Sequence, residues 1–337
     1  MGLRVGITGY GLSGRFFHGA LLGAVGFEVI GALTKNPERI SHLAEDFPKA
    51  RAVSSIEELL ALGLDLLVVA SGNPSHASDA IAGLKAGVPV VVDKPMGRTM
   101  AETVEIINVS TDTGVPVTTY FNRLWDSDTL TIKRALAQGD LGKVFRFDSR
   151  FERFRPQPNP GSWRERSTPA EGGGNLLDLQ PHLVSTSLHL FGPAELVHAS
   201  VRSVRGFADD DVVLVLRHES GVDSYLSASA IIGAPGPRVR VNGDAASLVI
   251  ADLDAQEGLL RAGKVPINHR WQEDVCTPAV IHRGEISEHY PSEPGNYAAF
   301  YIQVAAAIKG EAPWPVSTSE ILAVAKIIEE AREHSIR

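Results

Sequence analysis

Three residues in two short stretches carry side chains suited to moving protons and stabilising charge. The run Val90-Val91-Val92-Asp93-Lys94-Pro95 ends an apolar, β-prone segment in a lysine. Open α/β sheets bind ligands beyond the carboxyl ends of their strands. An ammonium at that position can hydrogen-bond a substrate hydroxyl and stabilise the alkoxide that develops as hydride leaves, or carry the proton itself. Asp178 and His182, in GGGNLLDLQPHLVSTSLHLFG, are spaced i, i+4 and would share one face of a helix. A carboxylate beside an imidazole fixes its tautomer and raises its basicity. Pro181 between them fits only a first helical turn or a kink. Metal binding is disfavoured: His189 follows His182 by seven residues, but no thiolate cluster or H-E-x-x-H accompanies them.

A hydride needs a carrier, and the start of the chain offers a place for one. Leu3 to Thr8 reads as a strand and Arg15 to Ala24 as a helix, with Phe16, Phe17, Ala20 and Leu21 on one face. Between them Gly9, Gly11 and Gly14 form G-x-G-x-x-G in VGITGYGLSGRFF. Strand, glycine turn and helix in that order give the motif its meaning. Gly9 allows the turn, Gly11 admits a pyrophosphate to the backbone N–H groups, and Gly14 lets helix and strand pack closely. Tyr10, Leu12 and Ser13 complete the turn. The helix N-terminus then faces the phosphates. About twenty residues on, an acid usually binds the adenosine ribose of NAD. Here that position is Thr34, followed by Lys35, with Arg39 one helical turn further. A hydroxyl and two cations suit a 2′-phosphate, which favours NADP and leaves NAD as the alternative.

The elements that must position these groups fall into two patterns. Up to residue 122, apolar runs alternate with helical stretches. The runs are Leu3–Thr8, Phe27–Leu33, Ala50–Val53, Asp65–Ser71, Val88–Asp93 and Pro116–Phe121. Helices are predicted at Pro37–Phe47, Ile56–Leu62, Ser75–Ala86 and Met100–Thr113. This predicts a doubly wound, parallel Rossmann sheet over 1–122. From 123 to 337 the period shortens. In VFRFDSRFERF, Phe145, Phe147 and Phe151 alternate with Arg146, Asp148, Arg150 and Glu152. Further strands at Leu196–Arg205, Val212–His218, Asp223–Ala230, Pro237–Asn242 and Ser247–Ile250 predict an α+β domain with a large, mostly antiparallel open sheet. A helix over Asn175–Leu190 should cover one face, and two more close the chain at Asn296–Lys309 and Ser319–His334. Arg155–Gly174 reads as a long loop, a common setting for function.

Composition narrows the partners. The 337 residues are 44% hydrophobic and 21% charged, with net charge −8 and no basic block, which excludes nucleic acid as an expected ligand. One cysteine, Cys276, excludes an internal disulfide framework. No apolar run is long enough to span a membrane. With a strand predicted from Leu3, no leader is expected, so a cytoplasmic location is expected.

In these motifs the chain resembles the glucose–fructose oxidoreductase / inositol dehydrogenase (Gfo/Idh/MocA) family. The resemblance runs through GYGLSGRFFH, SGNPSHASDAIAGLKAGVPVVVDKPMG, YFNRLWDSD, WRE and DLQPHLV. FRPQPNPGSWRE, GAPGPRVRVNGD, QEGLLRAGKVP and the tail GNYAAFY…WPVSTSEILAVAKIIEEA extend it over nearly the whole chain. Within the family the order and spacing are most similar to NADP-dependent scyllo-inositol dehydrogenases. The resemblance implies that Lys94 is the catalytic lysine of an E/D-K-P motif, His182 the catalytic histidine and Asp178 its carboxylate partner. It implies that Ser71, Asn73 and His76 line the cofactor and that Asp93 approaches the nicotinamide ribose. It further places Asn122 and Arg123 beside the nicotinamide, and Trp163 and Arg164 at cofactor or substrate. Two residues depart from the family pattern: Asp93 replaces the commoner glutamate, and Gln180 stands where glycine is frequent, with a side chain that could project toward substrate.

The expected function is hydride exchange between nicotinamide and a ring carbon bearing a secondary hydroxyl, on a cyclic polyol or sugar. Lys94 from the first domain and His182 from the second must then both reach the reacting centre, as a coupled pair. The alternatives are a nicotinamide-dependent glycosidase of the same family and a non-catalytic, cofactor-sensing binder. An antiparallel sheet with helices on one face predicts a second copy against the other, giving a homodimer or homotetramer.

Overall fold

The computed structural model of the chain describes residues 2–159, 161, 165, 167–168, 171–266 and 275–334. The chain forms two compact units: Met1–Tyr120 with Gln256–Trp271 and Asn296–Leu322, and Phe121–Ala255 with Gln272–Gly295 and Ala323–Arg337.

The first unit is built on β1 (Arg4–Thr8), β2 (Glu28–Leu33), β3 (Arg51–Val53), β4 (Leu66–Val69), β5 (Val90–Asp93) and β6 (Val117–Tyr120). All pairs are parallel, in the order β3-β2-β1-β4-β5-β6. Parallel strands covered on both faces need apolar side chains throughout. Val5, Ile7, Leu66 to Val69 and Val90 to Val92 are accordingly buried completely. The crossover helices are α1 (Ala20–Ala24), α2 (Pro37–Asp46), α3 (Ile56–Leu60), α4 (His76–Lys85) and α5 (Met100–Thr113). Their starts are locally encoded. Asn36 accepts from the Arg39 N–H ahead of Pro37, and Thr99 accepts from the Glu102 N–H. The strand order reverses between β1 and β4, the point where such sheets bind ligands at their carboxyl ends.

The second unit holds β7 (Val144–Glu152), β8 (Ala194–Arg202), β9 (Asp211–His218), β10 (Asp223–Ser229), β11 (Val239–Gly243), β12 (Ser247–Ile250), β13 (Ala279–Arg283) and β14 (Ile286–Tyr290). Their order is β14-β13-β12-β11-β7-β10-β9-β8. Every pair is antiparallel except β7 with β10. Phe147, Leu214, Leu226, Val241 and Leu248 form the buried face. Its helices are α6 (Ser127–Gln138), α7 (Asn175–Asp178) and α8 (Gln180–Phe191); α8 packs on β7, β9 and β10.

Later in the chain come α9 (Gln256–Arg261), α10 (Ala298–Ile308) and α11 (Thr318–His334). The first unit takes in α9 and α10 because their side chains complete its core. Tyr301 meets His18, Phe300 stacks edge-on against Tyr120, and Gln256 accepts from the Tyr297 N–H. A single cut near residue 122 in the sequence carries no sign of these returns.

Some elements differ from the sequence expectation. The helix expected over Asn175–Leu190 is broken at Leu179, because Pro181 brings no N–H to a continuous helix and starts a new one. The α6 helix and the β13–β14 hairpin were not expected. The Ser127 N–H at the start of α6 is satisfied by Asp254, far along the chain, so no local cap announces the helix. The β14 strand is exposed over Ile286–His289, so it lacks an apolar alternation.

Candidate active site

In the first unit the glycine turn forms as the spacing predicts. Gly9 has φ +82°, and a β-carbon there would lie 2.6 Å from the Ala70 carbonyl oxygen. A β-carbon on Gly14 would lie 2.0 Å from the Gly9 carbonyl oxygen. Neither position admits a side chain. Around Gly11 the nearest atoms to a β-carbon are those of the Arg39 guanidinium, at 3.4 Å. Bare backbone thus faces a cation whose guanidinium makes no hydrogen bond or ion pair among the described residues. That arrangement fits a phosphate-bearing dinucleotide. From Ser13 to Gly19 the helix winds in wider i→i+5 turns, a local departure often found at functional sites.

The other expected cofactor residues sort by where their side chains go. Tyr10 turns inward and donates to Asp46, 2.9 Å away, which Arg15 also holds. Burial, with the Asp46 hydrogen bond, pushes its phenol far above the ordinary value. Leu12 is exposed. Thr34 is buried with its hydroxyl 3.4 Å from the Asn36 N–H, while Lys35 and Arg39 are exposed. Ser71 donates to Asp79 (2.8 Å), and Asn73 begins a single tight turn. His76 is buried with Nδ1 2.8 Å from the Pro95 carbonyl and Nε2 3.1 Å from the Ser71 carbonyl. It therefore ties the loop after β4 to the segment after β5.

Lys94 follows the last residue of β5, and its peptide bond to Pro95 is cis. The preceding Asp93 is the hub of the turn. Its Oδ1 accepts from the Lys94 N–H (2.7 Å) and its Oδ2 from the Ser13 hydroxyl (2.5 Å). Its Oδ2 also lies 3.6 Å from His18 Nε2. Burial opposes the charge, but the neighbouring His18 imidazole, the Lys94 ammonium and the Ser13 hydroxyl together outweigh it. The carboxyl is held well below the usual carboxylate range. The sequence singled out Asp93 for the ribose; in the structure its carboxylate ties the glycine turn to the end of β5. His18 and Tyr301 were not anticipated, because FFH on a helix reads as core and its phenol partner is 283 residues away.

In the second unit Asp178 ends α7 and His182 lies in the first turn of α8, its N–H bonded to the Leu179 carbonyl at 3.2 Å. The His182 side chain is buried, with its ring 6.0 Å from Phe151. Phe151 in turn lies under two guanidiniums, Arg238 at 4.0 Å and Arg123 at 5.5 Å. Arg123 is buried and pairs with Asp126 at 3.3 Å; Asn122 is buried beside it. Gln180 does not project toward a ligand. It is fully buried and donates to the Val212 and Leu226 carbonyls, fastening α8 to the sheet. The start of α7 is held by Asp209, whose Oδ2 accepts from the Leu176 N–H (2.7 Å). No sequence signal marked Asp209. Trp163 and Arg164 lie outside the described residues.

Among the described residues no group of three or more His, Cys, Asp or Glu could hold a metal ion. No helix among them is long and apolar enough to cross a membrane.

The family model described as an oxidoreductase family with an NAD-binding Rossmann fold matches residues 3–121. The model of the GFO/IDH/MocA C-terminal domain matches residues 129–249. The chain belongs to the Gfo/Idh/MocA oxidoreductase family. This Gfo/Idh/MocA chain is 33% identical to scyllo-inositol 2-dehydrogenase (NADP(+)) IolW of Bacillus subtilis (strain 168), over 99% of this chain and 94% of that one. It is 32% identical to the oxidoreductase YdgJ of Escherichia coli (strain K12), over 97% and 94%. The solved structure of YvaA from Bacillus subtilis superposes with TM-score 0.89 at 31% identity, covering 99% of this chain and 98% of that one. As a family member the chain is an oxidoreductase with an NAD-binding Rossmann domain.

Proposed function

We propose that this oxidoreductase uses NADP and acts on a secondary alcohol or ketone of an inositol-like cyclic polyol or sugar. The observation that carries the reading is the 2.5 Å hydrogen bond from Ser13 to Asp93. It joins the glycine turn to the residue before Lys94, so a dinucleotide held by the turn lies beside that lysine. A relative 33% identical over nearly the whole chain is an NADP-dependent scyllo-inositol dehydrogenase, which supports the cofactor and the substrate class.

When bound, the nicotinamide supplies or accepts the hydride. The protein's own groups manage the oxygen. Lys94 donates a hydrogen bond to the oxygen on the reacting carbon and stabilises the negative charge that grows there. His182 takes up or returns the hydroxyl proton, with Asp178 setting its tautomer. Lys35 and Arg39, with the Thr34 hydroxyl, bind the 2′-phosphate; no carboxylate stands at position 34 to repel it. Ser71, Asn73, His76, Asn122, Arg123, Trp163 and Arg164 complete the proposed cofactor surroundings. A second copy of the chain covers the sheet face of the second unit that carries Arg146, Tyr225, Val215 and Val249, all exposed or only partly buried in the single chain. Light scattering that found only monomer would reject that assembly.

The decisive assay is net turnover with NADPH and a panel of keto-inositols. Lys94→Ala should lose at least about 100-fold in turnover while still binding NADPH. Unchanged turnover would remove the lysine from the chemistry, and retained cofactor with no net nicotinamide turnover on any substrate would remove the dehydrogenase reading.

A further inference from the structure

We propose that His18, held by Tyr301, is a positioning residue for Lys94 acting through Asp93. The inference rests on the reading of Lys94 as the catalytic lysine. His18 is completely buried and lies in the wide-turn segment that follows the glycine turn. Its Nδ1 is 2.5 Å from the Tyr301 hydroxyl and its Nε2 is 3.6 Å from Asp93 Oδ2. Tyr120 lies against the same ring, with centroids 4.8 Å apart. Tyr301 is also fully buried, and burial keeps its phenol protonated. A neutral phenol O–H donates to Nδ1, so the ring proton sits on Nε2 and faces the carboxylate.

Asp93 spends its other oxygen on the Lys94 N–H, 2.7 Å away. The line of contacts therefore runs from Tyr301 by a hydrogen bond to His18, from His18 Nε2 across 3.6 Å to Asp93, and from Asp93 by a hydrogen bond to the Lys94 main chain. His18 has no reason of packing alone to be histidine: a leucine would fill the same apolar space against Tyr120. Its imidazole is explained by the two polar groups at its two nitrogens. The charged and titratable groups around it are Asp93, Tyr120 and Tyr301, with Lys94 beyond Asp93 and the Ser13 hydroxyl on the same carboxylate oxygen. Without the Nε2–H that faces it, Asp93 keeps only the Ser13 hydroxyl and the Lys94 N–H. Its carboxyl then protonates nearer the ordinary range, and the Lys94 turn loosens when it does.

The test compares His18→Leu, His18→Gln and Tyr301→Phe with Lys94→Ala, following turnover against pH and NADPH binding by fluorescence titration. The γ-amide N–H of glutamine reaches close to where Nε2–H stood. Expected for His18→Leu is a fall in kcat of at least tenfold with little change in KM, and an acid limb of the kcat profile moved to higher pH. NADPH affinity should acquire a pH dependence over the same range. His18→Gln should restore most of both. Tyr301→Phe, which removes one hydroxyl and no volume, should move the acid limb in the same direction and keeps the test decisive if His18→Leu does not fold. Wild-type profiles in His18→Leu and Tyr301→Phe would overturn the proposal, as would a folded His18→Gln as impaired as His18→Leu. The two readings fail differently. If Lys94→Ala loses turnover and His18→Leu does not, the positioning role falls and the lysine stands. If Lys94→Ala turns over normally, the lysine falls, and a pH-independent NADPH affinity in His18→Leu would remove the hold on Asp93 as well.

Discussion

Gly14 meets Gly9 so closely that a β-carbon on Gly14 would lie 2.0 Å from the Gly9 carbonyl oxygen. Both partners are backbone, so neither can swing aside. Gly14→Ala should cost about 1–3 kcal/mol through overpacking and lower NADPH affinity at least tenfold, since the turn must open. Gly11→Ala is the control for stability: its nearest neighbour is the Arg39 guanidinium at 3.4 Å, the flexible end of a side chain. Thermal melts and NADPH titration measure both. Gly14→Ala with wild-type melting and affinity would mean that the turn does not hold the dinucleotide.

Much of the fold was legible because its signals are local. Apolar runs such as Val90–Val92 and Leu66–Val69 give a parallel sheet directly, and Asn36-Pro37 and Thr99 mark helix starts within three residues of the groups they satisfy. What was missed depends on distant partners. Ser127 begins α6 by donating its N–H to Asp254, and α10 completes the first unit through Tyr301 on His18. The site followed the same rule. The turn at Gly9–Gly14 and the Asp93-Lys94-Pro95 segment are contiguous motifs and were readable. His18, Tyr301 and Asp209 act by contacts that no spacing encodes. Gln180 misled because a polar residue before Pro-His reads as a ligand group, whereas two sheet carbonyls claim it.

Arg39 offers the sharpest check on the cofactor. Its guanidinium lies over Gly11 and has no ion-pair partner among the described residues. A hydrogen bond to a charged group contributes about 1.5–3 kcal/mol. Arg39→Ala should therefore lower kcat/KM for NADPH by roughly 10- to 100-fold and leave that for NADH nearly unchanged. The ratio of the two is the measurement. A ratio equal to wild type would take the 2′-phosphate away from Arg39.

His218 predicts a loss of stability in acid. The ring is buried, with Nδ1 2.8 Å from the Gly192 carbonyl and Nε2 2.8 and 2.9 Å from the hydroxyls of Ser187 and Ser224, of which Ser187 donates to Ser224. Burial lowers its pKa below the ordinary value of 6.5. The unfolded chain then binds the proton more readily than the folded one. The contribution is fully present above about pH 6.5 and is lost as pH falls below it. Denaturant midpoints from pH 8 to pH 5 should fall more steeply for wild type than for His218→Gln. Parallel curves would show that the ring does not titrate on unfolding.

Asp209 has the opposite sign. It is buried, and its Oδ2 accepts from the Leu176 N–H at the start of α7. Burial raises its carboxyl to about 6, with neighbouring Asp210 adding to the rise and the Leu176 hydrogen bond opposing it. Because the folded value lies above the unfolded one, near 3.9, the folded chain binds the proton more tightly. The stabilisation is present below about pH 4 and disappears as pH rises through about 6. At neutral pH the molecule thus carries a buried charge at a cost of up to about 3 kcal/mol. Asp209→Asn keeps the shape and an acceptor oxygen for Leu176 while removing that charge. It should melt higher than wild type at pH 8, and the gap should close toward pH 4. The α7 helix leads directly to Asp178 and His182, so the same variant should keep turnover at pH 8 if the carboxylate is not needed as a charge. A variant less stable than wild type at pH 8 would mean instead that the carboxylate charge holds α7 rather than burdening the fold.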